Sequence, residues 1–180
     1  MENIADLEPG ELAELVAGLP PGPLAELLNA NRRGFDALVG LSFSHASPQH
    51  VRGTLQTEEK HVQPYGLVHG GVYASLAESA CSVGAGICAL PSGLKAVGIE
   101  NRCRFVRGSR PGDQLTVEAR PADGDGEAGR RIWTARITDA QGRLCAESRV
   151  VLALVDEGRE IGGDRLSLRR GMDSVGSGAH

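Results

Sequence analysis

Apolar positions along this chain change their period three times. Residues 7–32 carry "LAEL" twice, at 12–15 and 24–27. Between them lies "VAGLPPGP", whose prolines and glycines break any continuous helix. Two short amphipathic helices are predicted, packed on the main domain or on a partner subunit. From "LVGLSFSHAS" the period falls to two: Leu41, Phe43 and His45 alternate with polar neighbours, and "HVRGTLQT" alternates again after Pro48, which reads as a hairpin. A loop, "EEKHVQPYGLV", with Pro64 and Gly66, leads into "GGVYASLAESACSVGAGICAL". There Val72, Leu76, Val83 and Leu90 recur at spacings of four and seven, the longest helical pattern in the chain, stopped by Pro91 and Gly93. Four alternating or β-branched segments follow, "KAVGIENRCRFVRG", "QLTVEARPA", "RRIWTARITDA" and "RLCAESRVVLALV", separated by turn residues and predicted in meander order.

The order is two strands, one long apolar helix, four strands. A helix apolar nearly all round must be covered on most sides, and a curved antiparallel sheet wrapped around it does so. The predicted class is α+β, with a helical extension over 1–34, a main domain over 35–155 and a Gly- and Arg-rich tail over 156–180, expected to be disordered or loosely docked.

With 180 residues, 41% hydrophobic and 23% charged, the chain suits one globular domain with short appendages. A formal charge of −4 gives no basic field for nucleic acid or an anionic membrane. Met1, Glu2 and Asn3 open no signal-peptide pattern, and no stretch is read as approaching the roughly 18 apolar residues of a membrane span, so a soluble cytoplasmic protein is expected. Cys81, Cys88, Cys103 and Cys145 form no CxxC pair and read as buried reduced thiols, while the five histidines show no metal-ligand spacing. "GDGEAG" at 124–129 satisfies GxGxxG but leads into a strand rather than a helix, so it reads as a hairpin loop. No GxSxG nucleophile motif is present.

One residue stands apart. In a helix from Gly70, the positions Gly71, Ser75, Glu78 and Ser82 fall on one face, a small polar stripe flanked by apolar ones. Glu78 is the only residue of that helix charged at neutral pH, and a carboxylate on a mostly buried helix is rare unless paired or functional. At the helix start, Gly70 and Gly71 leave backbone N–H groups unobstructed at the positive end of the dipole, where a carbonyl oxygen gaining negative charge would be stabilised. Eight residues separate Gly70 from Glu78, about 12 Å along a helix, too far for both to reach one reacting carbonyl. If both act, they come from two copies, which predicts a homodimer.

These segments resemble the hotdog-fold acyl-CoA thioesterases, particularly the 4-hydroxybenzoyl-CoA and phenylacetate-pathway types, through "QPYGLVHGGVYASLAES", "NRCRFVRGSRPGD" and "DAQGRLCAESRVVLAL" over roughly residues 35 to 155. The resemblance implies a hotdog fold, an acyl-CoA substrate, no separate cofactor, and a homodimer that pairs into a dimer of dimers. It implies that Glu78 is the catalytic carboxylate, as nucleophile or as general base toward water. Gly70 would supply the N–H that polarises the thioester carbonyl, Gln63 a loop amide near the thioester, and His69 the support for the helix start. Ser82, where the family often has threonine, would orient the attacking water. Arg107 matches a position that often meets coenzyme A phosphates, with Gly108 where a proline is usual, and Arg130 and Arg131 are further candidates for those phosphates. Tyr65 and Tyr73 lie beside the motif and either line a pocket for a small, medium or aryl acyl group or simply pack. The rival from another class is a non-catalytic acyl-CoA binder or sensor using the same groove.

Overall fold

The computed structural model describes residues 4–122, 129–156, 158, 160–161 and 164–165. Three helices precede the first strand: α1 (Pro9–Gly18), α2 (Pro21–Ala30) and α3 (Gly34–Val39). Pro9 and Pro21 each open a helix, where a missing N–H costs nothing because the first N–H groups of a helix lack partners anyway. The third helix, α3, is absent from the sequence reading. Its six residues are too few to establish a period, and Phe35 and Leu38 point outward, 62% and 65% exposed.

The hairpin β1 (Ser42–Ala46) and β2 (Val51–Gln56) forms as expected, but a bulge between Phe43 and His45 breaks the alternation. Phe43 and Ala46 are buried and His45 is only half-buried. An extra residue flips parity, which simple period-two counting cannot see.

Next come α4 (Gly70–Ala89), then β3 (Leu94–Phe105), β4 (Gln114–Pro121), β5 (Arg130–Asp139) and β6 (Leu144–Asp156). The six strands form one antiparallel sheet in the order β1-β2-β4-β5-β6-β3. The expected meander holds only for β4-β5-β6. β3 pairs with β6 instead of β4, because β4 is claimed by β2 and β5 on its two sides. The Val106–Asp113 segment therefore crosses the sheet end. It is held there by Val68 N–H donating to Ser109 O (2.8 Å) and the Thr57 hydroxyl donating to Arg110 O (2.7 Å).

α4 lies on this sheet, touching β2, β3, β4, β5 and β6. Tyr73, Leu76, Ala77, Ala80, Cys81, Gly84 and Ile87 are buried, meeting Leu115, Val117, Trp133, Ile137 and Val150 in a single core. Gly84 is the tightest point. A Cβ there would stand 2.2 Å from the Trp133 ring, so glycine lets the indole reach the helix axis. The Gly70–Ser92 stretch is, by length and composition, long and apolar enough to cross a membrane, contrary to the sequence reading that no stretch approaches such a span. Half of it is packed against the sheet.

The extension docks on the far edge. Asn29 of α2 donates to Phe43 O (2.7 Å) and accepts from Phe43 N–H (2.8 Å), and Arg32 donates to Leu41 O. The free backbone groups of edge strand β1 are thus partly satisfied by the chain itself. On the opposite edge, β3 runs for twelve residues with no further strand beside it among the described residues. Beyond β6, Glu160–Ile161 (β7) pairs with Asp164–Arg165 (β8), so this part of the expected tail has local structure. The rest of the tail, and positions 124–128 of the GxGxxG match, lie outside the described residues.

Candidate active site

The loop after β2 fixes the start of α4 through two histidines. His61 is buried, and its Nδ1 accepts from Glu58 N–H (2.9 Å), which leaves the proton on Nε2 to donate to Val39 O (2.9 Å). Its carbonyl accepts from His69 N–H (2.8 Å), so the end of α3 and the helix start are tied together. This role for His61 is missed in the sequence because the residue sits alone in a loop and only its tertiary partners reveal it. His69 is the N-cap of α4, and its Nδ1 accepts from Gly71 N–H (2.9 Å).

That bond corrects one expectation. Gly71 N–H is occupied by His69, so the unpaired N–H at this helix start is that of Gly70, which has no acceptor among the described residues. Both glycines sit close under a neighbouring ring. A Cβ on Gly71 would come within 2.9 Å of the His69 ring, and one on Gly70 within 3.0 Å of the Phe105 ring.

Around Gly70 lies a cavity of about 500 Å³ lined by Gln63, His69, Gly70, Tyr73, Phe105 and Arg107. Here the fold gathers four predicted groups with Tyr73, whose ring is tilted against Phe105 at a centroid distance of 6.1 Å. Burial pushes the Tyr73 phenol above its ordinary range. Tyr65 does not line this cavity. It occupies the turn closed by Gly66 N–H on Gln63 O, between Pro64 and Gly66, and is 86% exposed.

Arg130 and Arg131 are not brought to Arg107 within one chain. They stand opposite Ala153 and Leu152 on β6, whereas Arg107 N–H bonds the carbonyl of Cys145. The eight residues between Ala153 and Cys145 span about 26 Å of strand. Sequence proximity to other arginines carried no information about which end of a strand each occupies.

Glu78 lies elsewhere. Its Oε2 accepts from Asn101 Nδ2 (3.0 Å), which also donates to Ala74 O (3.0 Å), and its Oε1 is 3.5 Å from the Ser82 hydroxyl that donates to it. Asn101 was not singled out from the sequence: in β3 it is one polar residue among alternating ones. Both groups facing its Nδ2 are acceptors, which orients the amide and leaves Oδ1 buried without a partner. Gly98 of β3 makes room for the carboxylate, since a Cβ there would be 1.9 Å from Glu78 Oε1. The arrangement offers a half-buried carboxylate held by two donors beside an open strand edge. An unpaired backbone N–H, that of Gly70, lies about two turns earlier, at the start of the same helix.

The Thioesterase superfamily model matches residues 65–146. The chain is 33% identical over 130 residues to 1,4-dihydroxy-2-naphthoyl-CoA hydrolase of Escherichia coli, covering 69% of this chain and 91% of that protein. It is 31% identical to 1,4-dihydroxy-2-naphthoyl-CoA thioesterase 2 of Arabidopsis thaliana over 64% and 71% of the two chains. Among solved structures, a Haemophilus influenzae thioesterase superposes with a TM-score of 0.64 at 26% identity, covering 74% of this chain and 88% of that one. A mutant thioesterase of Pseudomonas aeruginosa gives 0.67 at 26% identity, over 73% and 93%.

Proposed function

Starting from the membership of this chain in the thioesterase superfamily, as a thioester hydrolase with the hotdog fold, we propose that it hydrolyses an acyl-CoA to the free acid and coenzyme A at sites shared between two protomers. The observation that carries this reading is the division of the machinery along α4. The Gly70 cavity holds Gln63, His69 and Arg107 but neither Glu78 nor Ser82. Glu78 lies beside β3, the edge strand that no other described strand covers, with Ile99 and Phe105 of that strand 52% and 57% exposed. A long open edge is a template for pairing with a second copy, and a two-fold axis there reverses the direction of the helix.

In such a dimer the thioester carbonyl sits on Gly70 N–H, with Gln63 beside it and the His69 side chain fixing the donor. Arg107 at the rim attracts the phosphates of coenzyme A. Glu78 of the partner subunit, oriented by that subunit's own asparagine and serine hydrogen bonds, takes a proton from water or attacks the carbonyl directly. Either route consumes one water, breaks the C–S bond and passes a proton to the departing thiolate.

Glu78→Gln should lower kcat/KM for acyl-CoA hydrolysis about a thousandfold while leaving the circular dichroism spectrum unchanged. Thiol release that persists at the wild-type rate would remove Glu78 from the mechanism. Mixing it with an equally inactive Gly70→Val protein under subunit exchange should restore about a quarter of the wild-type activity, since half of the dimers are mixed and each carries one intact site. No recovery despite exchange, measured by mass spectrometry, would place both halves of the site in one chain.

A further inference from the structure

We infer that the N-terminal extension forms a wall of the acyl-binding pocket and selects an unsubstituted aliphatic acyl group; the inference rests on the thioesterase reading above. A second cavity, about 360 Å³ and so near the lower end of the range for small-ligand pockets, lies between this extension, the C-terminal half of α4 and the beginning of β3. Val16, Leu27 and Leu28 face it from the extension, Val83 and Ile87 from α4, and Val97 from β3. The helices α1 and α2 precede residue 65, where the family match begins.

What points to an occupant is the inner end of the cavity. Ser82 lines it and hydrogen-bonds Glu78, and Val97 lines it next to Gly98, against which the Glu78 carboxylate packs. An acyl group whose carbonyl carbon is in reach of Glu78 thus has this cavity as its apolar continuation along α4. The chemistry of the walls sets the ligand class. Among the described residues, Ser82 and Lys95 are the only polar side chains lining it, and no aromatic ring does. A hydroxylated aryl group would bury hydroxyls with few partners and no stacking surface, whereas a hydrocarbon chain loses nothing there.

The test is a series of straight-chain acyl-CoA substrates from acetyl to palmitoyl, followed by thiol release. For the wild-type protein, kcat/KM should rise about fourfold per methylene until the cavity is filled, with a hydroxylated aryl-CoA of equal carbon number well below the alkyl optimum. Leu27→Trp and Val16→Trp, which fill the cavity from the extension, should move the optimum to shorter chains. Val16→Ala should move it to longer ones, and Glu26→Trp, exposed on α2, should leave it in place. A profile unchanged in folded Val16 and Leu27 variants would overturn the proposal. Calorimetric affinities of the same series for Glu78→Gln separate this inference from the enzyme reading. A chain-length ladder without hydrolysis by the wild-type protein keeps the pocket and sinks the enzyme, and hydrolysis with a flat ladder does the reverse.

Discussion

The two ends of α4 are made from one helix and differ in almost every physical respect. At the start, Gly70 and Gly71 bare the backbone, an exposed histidine caps it, and the adjoining cavity carries an amide, an imidazole, a phenol and a guanidinium. From Glu78 onward the helix presents Ser82, Val83, Gly86 and Ile87 to a cavity whose walls are almost wholly aliphatic, completed by two helices from the extension. A helix N-terminus concentrates unpaired N–H groups and positive potential, suited to a polarised carbonyl and an anionic carrier. The middle of a helix has its backbone satisfied internally and can only offer side chains. In the proposed mechanism, one element thus supplies an electrophile-activating start and a base beside a hydrocarbon pocket, too far apart to serve the same carbonyl.

Substitutions that strike one end and spare the other sharpen this contrast. Beyond the loss of Glu78 itself, the largest effect should come from Gly98→Ala. Its methyl would have to displace the carboxylate, and misplacement by about 1 Å costs about a hundredfold in kcat. Thermal stability should fall only modestly, because Gly98 lies in an exposed part of β3. Equal losses in activity for Gly98→Ala and Gly98→Ser, with the carboxylate unmoved in a crystal structure, would break the steric account.

At the other end, His69→Ala removes the cap from Gly71 N–H. The expected cost is about 1 kcal/mol of stability and about tenfold in kcat/KM, with His69→Asn retaining most of both, since a short amide oxygen can accept the same bond. Recovery absent in the asparagine variant would assign His69 a role other than capping.

The smallest effect concerns the cysteines. Burial, helped by the neighbouring Glu78 charge, pushes the Cys81 thiol well above its usual range. A raised folded-state pKa contributes stability that is fully present below the unfolded value of 9.0 and is lost as pH rises beyond it. Stability measured by urea unfolding should therefore decline above about pH 9 more in the wild-type protein than in Cys81→Ala. Alkylation near neutral pH should label half-buried Cys88 before Cys81. Early labelling of Cys81 would mean that the middle of α4 opens readily.

How much of this was legible before any coordinates depended on the range of the interaction involved. The helix, its start at Gly70, the isolation of Glu78 and the separation of the two half-sites follow from local spacing, because a helix converts sequence distance directly into spatial distance. Asn101 and Gly98, 23 and 20 residues beyond Glu78 in sequence, could not be linked to it, since their relevance depends on which strand lies beside α4. The distance of Arg130 and Arg131 from Arg107 within one chain was hidden for the same reason, since it is set by their antiparallel pairing with β6.

The sequence by itself determined the α+β class of fold, the long apolar helix from Gly70 and the spacing that separates Gly70 from Glu78, all set by periodicities acting over a few residues. Only the tertiary structure decided that β3 leaves the meander to become an open edge, that α2 closes the opposite edge through Asn29, and that the extension walls an apolar cavity beside the carboxylate. Those outcomes depend on which surfaces meet across the whole chain, and burial and backbone hydrogen-bond pairing choose among them only when all elements are present together.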